Sequence, residues 1–392
     1  MAEVTGASST PDGIAAVPRP AFRLIYGQKN ITNDLMPYVI SVTYSDYLTG
    51  QSDEIEVELE DTDGRWIGSW YPGKGDALTL KVGYDNEPLL ACGTFEIDEV
   101  EFSDSPSTVS IRGLGSWPGK PVRTRNSMGF EKTTLAAIAQ HVAKRNGFTL
   151  TGKIRHIPID RATQYGENDV AFLSKLADEY GYAFKVSGKR LVFTEVAALL
   201  ASDPAKYFVP QDLTNIRITD KINFVYKDAE VKHHDPKKKS LVVVGVKADG
   251  QIGEVGKSTS SDTLKTTARA SDKATAQIKG ESKLKKANLE QTTGTITVPG
   301  SPSLVAGLMI GIDGFGRLDG KYLVQSARHR LDRSSGYTTE LEIAREMPVP
   351  RGQTVKSASS AKKKSAAPGK LQVYGIQSDG QVGAVGTTNS KR

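Results

Sequence analysis

Residues 164–193 have the clearest pattern of hydrophobic and polar positions in the chain. Apolar residues first recur at helical spacing and then at every second position. Asn168 or Asp169 can cap the helix, and Gly181 falls where a helix ends in a left-handed residue. The pattern therefore predicts a helix packed on a β-hairpin. The apolar positions of the helix are Val170, Leu173, Leu176, Ala177 and Tyr180.

Residues 22–113 show strand spacing throughout. Short runs of alternating apolar and polar residues are separated by turns rich in Asp, Gly and Pro. This arrangement is typical of an antiparallel β-barrel or β-sandwich. The runs cover 22–26, 39–44, 54–60, 77–82, 93–102 and 108–112.

The run 54–60 places four carboxylates on one strand face and three apolar residues on the other. Three interpretations are open: a solvated outer face, an acidic channel lining, or paired catalytic carboxylates. Catalysis would need two carboxyl groups in different environments, and these share one. The candidate channel face consists of Glu54, Glu56, Glu58 and Glu60.

Strand patterns return after the helix and hairpin and continue to residue 343. The predicted fold is mainly β with a small α+β module between two β domains. The predicted divisions are a flexible segment 1–20, a first β domain 21–120, an α+β module 121–200, a second β domain 201–350, and a basic linker with a strand or hairpin extension 351–392.

An internal repeat links the second β domain to the C-terminal extension. Residues 241–256 align without gaps with 371–386, and nine of the sixteen positions are identical. Each copy predicts a strand, an Asp-Gly turn and a glycine-rich return. The copies are either equivalent edge-pairing segments or chance similarities of hairpin chemistry. The candidate docking residues of the second copy are Leu371, Val373, Gly375, Asp379, Gly380 and Val382.

Length and composition limit the number of domains and the kinds of site that the chain can form. A chain of 392 residues is expected to form two to four domains. The single cysteine, Cys92, excludes an intramolecular disulfide framework and a multi-cysteine zinc site. No apolar run approaches the roughly 18 residues of a spanning helix, and the N-terminus lacks a secretory pattern. We therefore expect synthesis in a cytoplasm and no stable membrane association.

The formal charge of +6 is unevenly distributed. Residues 351–392 hold eight Lys or Arg and one acidic residue, Asp379, so the rest of the chain carries −1. Within that rest, 221–290 is basic and 1–220 is acidic, at about −7. A nucleic-acid-binding function would therefore depend on the tail alone.

The cofactor- and metal-binding motifs that the sequence partly resembles each lack a required residue or geometry. A phosphate loop ending at Gly256-Lys-Ser258 would need glycine where Gln251 stands, and a calcium loop beginning at Asp61 would need glutamate at Pro72. The sequence 233–235 (His-His-Asp) places adjacent side chains on opposite strand faces, which disfavours a shared metal. We predict no cofactor, no metal and no catalytic residues.

Two motifs identify a family resemblance. Phe172-Leu173 with Leu176-Ala177, together with Ala306-Gly307 and the later Leu318-Asp-Gly320, resembles the phage late control protein D family. The resemblance covers about 21–346. Members of that family are baseplate hubs of contractile-tailed phages, related to the hub part of the valine-glycine repeat spike proteins of type VI secretion.

The resemblance implies a fold, partners and a location. It implies a structural homotrimer in which each chain supplies two tail-tube-like antiparallel β-barrels flanking the helix and hairpin. Six barrels would match a six-fold tail tube above and a three-fold central spike below. It further implies assembly in the host bacterial cytoplasm, a place in the virion baseplate, and DNA or tape-measure protein only in transit.

Two hypotheses follow for the singled-out residues. The four glutamates line the channel, and the C-terminal repeat docks by strand addition on a neighbouring subunit or baseplate protein. The rival interpretation is a tail-associated cell-wall-degrading or glycan-binding protein.

Overall fold

The alternating runs of the first hundred residues form strands in a computed structural model of the chain. The structure describes residues 18–115, 124–221, 226, 228–235, 240–247, 252–253, 263–267, 273–345, 371–376 and 382–388. The first elements are β1 (Pro20–Tyr26), β2 (Lys29–Asn30), α1 (Thr32–Leu35), β3 (Val39–Tyr47), β4 (Glu54–Glu60), β5 (Ala77–Tyr84), β6 (Leu90–Ser103) and β7 (Thr108–Gly115).

The central part folds as the helix-and-hairpin pattern predicted. Asn168 accepts a hydrogen bond from Ala171 N at 2.8 Å and caps the helix, and Gly181 follows with φ of 79°. The elements are β8 (Arg125–Thr134), α2 (Leu135–Asn146), β9 (Thr149–Thr151), β10 (Pro158–Asn168), α3 (Asp169–Glu179), β11 (Tyr182–Ser187), β12 (Arg190–Glu195) and α4 (Val196–Leu200).

Asp169, the other candidate cap, is buried instead. Its carboxylate accepts hydrogen bonds from Gln164 at 2.8 Å and Asn126 at 3.0 Å, and from Arg145 at 3.1 Å. Burial opposes the charge, but these donors outweigh it and lower the pKa of Asp169. The network ties α2, α3 and the ribbon of β8 and β10 into one unit.

The remaining elements return to β structure around one long helix. They are β13 (Lys206–Phe208), β14 (Asn215–Asp220), β15 (Asp228–Asp235), β16 (Ser240–Lys247), β17 (Ile252–Gly253), β18 (Thr263–Thr267), α5 (Lys273–Leu289), β19 (Thr292–Pro299), β20 (Met309–Ile312), β21 (Gly320–Asp332), β22 (Gly336–Arg345), β23 (Leu371–Ile376) and β24 (Val382–Thr388).

One sheet of 13 strands joins the two halves of the β structure. Its main path runs β14-β19-β22-β21-β3-β4-β7-β6-β5-β1-β2, with β20 and β13 attached beside β21. The halves meet where β21 pairs with β3, from Ser326 opposite Tyr47 to Asp332 opposite Ser41. The described strands trace an open path, and the fold is mainly β as predicted.

A second sheet, β17-β16-β15-β18, lies under α5 and has its own small core. A Cβ atom on Gly280 of α5 would lie 2.6 Å from Val231 Cγ2, so glycine permits close packing of helix and sheet. The helical period of the α5 segment is weak in the sequence. The predicted range 201–350 thus contains two sheets.

Lys185 of β11 joins the α+β module to the large sheet. Its ammonium contacts Asp46 of β3 at 2.5 Å and Asp53, in the loop before β4, at 3.2 Å. Asp46 also accepts a hydrogen bond from Ala306 N at 2.9 Å. Beside this cluster, the Thr49 hydroxyl contacts the backbone of Phe184 on the edge of β11. We call Lys185, Asp46 and Asp53 the junction triad.

The junction triad holds two carboxylates and one ammonium. Burial disfavours the charge on Lys185, but the carboxylates outweigh it and raise the pKa of Lys185. Burial raises the pKa of Asp53 to about 6, partly opposed by Lys185. One cation therefore does not fully compensate both carboxylates, and Asp53 binds a proton more readily than an exposed aspartate.

His329 lies on the core face of β21 and stacks on Tyr44 of β3 at 5.9 Å. Its Nε2 is 3.0 Å from the Leu304 carbonyl, which only accepts, so Nε2 donates and Nδ1 accepts from the Tyr337 hydroxyl at 2.8 Å. Burial lowers the pKa of His329 to about 4. The join between the halves thus contains a neutral histidine.

We predict that Lys185→Met lowers the free energy of unfolding by about 3–5 kcal/mol, because two buried carboxylates lose their cation. Chemical denaturation measures the effect. Lys189→Met, on the exposed turn after β11, is the matched control and is expected to change stability by less than about 0.5 kcal/mol. Equal effects of the two substitutions would contradict the role of the triad.

We predict a pH-dependent effect of Asp53→Asn. The folded pKa of about 6 exceeds the ordinary 3.8, so Asp53 adds stability as pH falls through 6 towards 3.8. The stability of wild type relative to the variant should rise by about 1.3 kcal/mol from pH 7 to pH 5. His329 has the opposite effect, because its lowered pKa reduces stability as pH falls from 6.5 to 4. His329 is present in both wild type and variant, so its contribution cancels when the two are compared at the same pH.

Denaturation at both pH values measures this difference. Asp98→Asn, on the exposed surface of β6, is the control for loss of an aspartate outside the junction triad. A wild-type advantage that shrinks at pH 5 would contradict the assignment.

Candidate functional site

The predicted glutamate face of β4 is present in the structure. Ile55, Val57 and Leu59 are buried in the core of the first half of the sheet, and the glutamates point to the opposite face. Successive glutamates on one strand face lie about 7 Å apart. Glu56 is exposed, and the other three are half-buried.

Each glutamate of β4 contacts a neighbouring element. Glu54 pairs with Arg112 of β7 at 2.7 Å, and Glu60 pairs with Arg333 at 3.3 Å. Glu56 and Glu58 accept hydrogen bonds of 3.1 Å from the hydroxyls of Ser110 and Ser41. The two central carboxylates thus accept hydrogen bonds from neutral hydroxyls, and Glu56 also lies opposite Arg112 of β7.

Strand pairing extends this polar face across eight strands, from β14 to β6. Arg328 of β21 lies opposite Ser45 of β3 and Glu340 of β22, and Glu99 of β6 lies opposite Arg112. At paired positions of these described strands, this side of the sheet carries ten carboxylates and four guanidinium groups. They are Glu54, Glu56, Glu58, Glu60, Glu96, Glu99, Glu101, Asp332, Glu340 and Glu342, with Arg112, Arg217, Arg328 and Arg330. We call this surface the acidic face.

Small hydroxyl residues lie in the middle of the acidic face. Ser41, Thr43 and Ser45 of β3 are 3–5% exposed, because longer charged side chains on β4 and β21 flank them. The acidic face therefore has short side chains along β3 and longer charged side chains on the two neighbouring strands.

The four β4 carboxylates lie on one strand face and differ in their partners, since Glu54 and Glu60 bind arginines and Glu56 and Glu58 bind hydroxyls. Among the described residues, no group of three or more His, Cys, Asp or Glu is placed to hold a metal ion. The side chains of 233–235 lie outside the described residues. The described helices include none with the length and apolarity of a membrane span.

Sequence reasoning found one strand of the acidic face and missed the others. Glu99, Glu101, Glu340 and Glu342 also alternate with apolar residues, so a local signal existed. What the local pattern lacks is the pairing of β21 with β3, which brings residues almost 300 positions apart to one surface.

The two repeat copies form antiparallel strand pairs with the same register. Gly245 lies opposite Gly253 in the first copy, and Gly375 lies opposite Gly383 in the second. The pairs are 130 positions apart, which is the offset of the sequence repeat. Equal registers favour structural equivalence of the copies over chance similarity.

The candidate docking residues divide between described and undescribed positions. Leu371, Val373 and Gly375 lie on β23 and Val382 on β24. Asp379-Gly380 lies outside the described residues. In the first copy β16 pairs on its other side with β15, whereas β23 pairs only with β24 among the described residues.

We predict that the same new charge has different effects on two adjacent strands of the acidic face. Thr43→Arg places a long side chain at a 3% exposed position and should lower the free energy of unfolding by about 1–3 kcal/mol. Glu56→Arg, at the directly paired and exposed position, should lower it by less than about 1 kcal/mol, which is the scale of the new like-charge pair with Arg112. Denaturation of both variants measures this, and equal losses would contradict the packing of β3.

Comparison with known proteins gives three concordant results. A family model described as "Phage tail baseplate hub (GPD)" matches residues 121–335, more than half of the chain. The probable baseplate hub protein of Escherichia phage 186 is 30% identical over 185 residues, 47% of each chain. The probable baseplate hub protein of Escherichia phage P2 is 28% identical over 211 residues, 53% of each chain. The chain therefore spans about half the length of the curated relatives it matches.

The fold is also similar to a solved structure. A tail protein from Neisseria meningitidis MC58 superposes with a TM-score of 0.62 over 84% of this chain and 97% of that chain. The two sequences are 15% identical, so this similarity concerns the fold alone.

Proposed function

This chain belongs to the phage tail baseplate hub family, and we propose that it is the structural hub of a contractile phage tail or phage-tail-like particle. The proposed form is a homotrimer that adapts a six-fold tail tube to a three-fold central spike. The observation that carries the proposal is the acidic face, continuous across the join between the two halves of the sheet.

The large sheet supports the adaptor geometry. Its two halves have separate cores, one around Val57 and one around Ile310, and they meet along β21 and β3. In the proposed trimer each half closes into a tube-like barrel, so three chains present six similar units. We propose the same division of the chain as the sequence predicted: a first β domain, an α+β module and a second β domain.

The acidic face is proposed to line the channel. Passing DNA carries one negative charge per roughly 1.7 Å of helix axis, and excess carboxylates keep it from adhering. Glu58 contacts only the hydroxyl of Ser41 among its side-chain hydrogen bonds, and Glu56 lies opposite Arg112, which also pairs with Glu54 and Glu99 and so cannot offset all three carboxylates. The wall would thereby act as a conduit for DNA or tape-measure protein in transit.

The C-terminal hairpin is proposed to dock on a neighbouring baseplate protein or subunit. A two-stranded hairpin is marginal in water, and the first repeat copy shows an additional antiparallel strand beside β16. Since β23 corresponds to β16 in the repeat, β23 would pair with a strand supplied by a partner. Assembly would take place in the bacterial host cytoplasm and end in the virion baseplate.

We predict that the purified full chain is a trimer, alone or together with its spike protein. Sedimentation equilibrium or native mass spectrometry should give three times the mass of one chain, because the spike below the hub has three-fold symmetry. A chain that is strictly monomeric in both states would contradict the adaptor function.

We predict that Glu56→Lys/Glu58→Lys makes the full chain bind duplex DNA more tightly than wild type. The gain should decrease as salt is raised, because the new contacts release counterions from DNA. Glu56→Gln/Glu58→Gln is the matched control that removes charge without adding cations, and should give a smaller gain. Since the basic tail is present in every chain, the differences report the acidic face, and equal affinities of all three would contradict the proposal.

A further inference from the structure

The residues that the two repeat copies share are confined to one face of their strands. Eight positions of the repeat lie in described strands in both copies. The four odd-numbered positions are identical between the copies, and the four even-numbered positions all differ. Because side chains alternate between the faces of a strand, one face is the same in both copies and the other is not. We call the identical face the shared face, which consists of Leu241, Val243, Gly245 and Gly253 in the first copy and Leu371, Val373, Gly375 and Gly383 in the second.

In the first copy the face that differs is the one that α5 covers. Val244 and Val246 are 2% and 0% exposed in the small core under that helix. The second copy has Tyr374 at the position equivalent to Val244. A tyrosine would overpack that core, so the second copy does not fit in place of the first. Packing against a helix is therefore not what the shared residues have in common.

The shared face of the first copy lies on the side of the small sheet away from α5. Lys232 of β15 is paired with Val243 and is exposed, so this side is open to solvent there. Two positions along β16, Gly245 pairs with Gly253 of β17. Glycine weakens a strand and often marks a place where another backbone approaches closely. The shared face therefore has a raised part at the valine and a flat part at the glycine pair.

A face with one raised and one flat part is complementary to a second copy of itself. When one of two identical faces is turned through 180°, the valine of each lies over the glycine pair of the other. A contact with two-fold symmetry uses the same surface on both sides, which accounts for the identity of the two faces. The second copy has the matching residues, because Val373 precedes Gly375 by two positions and Gly375 pairs with Gly383.

The second copy is attached to the chain near the small sheet. The strand β22 ends at Arg345, and its Ala344 pairs with Thr293, four residues beyond the end of α5. The 17 residues of α5 span about 25 Å, so β22 ends within about one helix length of the sheet that α5 covers. The 25 residues between Arg345 and Leu371 can span up to about 85 Å. The two shared faces of one chain can therefore meet, and their covalent link favours this contact over one between chains.

We propose that the C-terminal hairpin folds back on its own chain and packs its shared face on the shared face of β16 and β17. Val373 then lies over Gly245, and Val243 lies over Gly375. The inference rests on the proposed docking function of this hairpin and names the surface that receives it. The hairpin gains the second layer that a two-stranded ribbon needs for stability, and the outer edge of β23 stays available to a partner strand.

Maleimide labelling of Val243→Cys in the full chain tests the packing. The natural cysteine, Cys92, is buried, so the reaction reports the new thiol. Adding Val373→Glu places a charge in the contact and should accelerate labelling by about tenfold or more, because release of the hairpin exposes the thiol. Gln372→Glu adds the same charge at the neighbouring position, which belongs to the other strand face, and should leave the labelling rate unchanged.

Hydrogen exchange of residues 371–376 gives a second readout that needs no new cysteine. Val243→Glu lies opposite Lys232, and this pair of opposite charges keeps the small sheet folded. The variant should nevertheless raise the exchange rate of 371–376 by about tenfold. Lys273→Glu places the same residue at the exposed start of α5, on the other side of the sheet, and should leave that rate unchanged.

The outcomes separate this inference from the proposed function. Equal labelling rates with Val373→Glu and Gln372→Glu overturn the packing of the hairpin and leave the hub intact. Protection of the Val243→Cys thiol that appears only at high protein concentration also overturns it, because the contact would then lie between chains. Sedimentation equilibrium of the same sample, with and without the spike protein, reports the homotrimer separately. A strictly monomeric mass together with the expected Val373→Glu effect contradicts the trimer and supports the packing.

Discussion

The architecture depends on one buried cation between two carboxylates. Lys185 comes from the α+β module, and Asp46 and Asp53 come from either side of the turn between β3 and β4. Asp46 also receives a hydrogen bond from Ala306, in the second half of the β structure. A buried ion pair adds little net stability but makes any arrangement that separates its members costly. It therefore fixes the relative positions of all three parts.

That fixed join has a consequence for function. Because β21 pairs with β3 in a single register, Arg328 and Glu340 fall on the same surface as Glu56. A slip of one residue would exchange this surface with the core, where His329 is stacked on Tyr44. The register that buries the histidine is thus the one that makes the acidic face continuous across the two halves of the sheet.

Features set by neighbouring residues could be predicted from the sequence, whereas pairing between distant strands could not. The cap at Asn168 and the alternation of β4 depend on neighbouring residues, so both could be predicted. The join of the two halves could not, because nothing near Ser41 indicates Asp332 as its partner. The strands under α5 follow the strand pattern, but their separation into a second sheet was not predicted. The helix that covers them is lysine-rich, and close packing at Gly280 replaces an apolar stripe.

The chain belongs to the baseplate hub family, and our proposal adds that the acidic face lines a channel. A cryo-electron microscopy reconstruction of the assembled particle tests it most directly, by measuring which way β4 presents Glu56. If the acidic face lines the channel, Glu56 and Glu340 point to the central axis in every subunit. Their placement on the outer wall would contradict it.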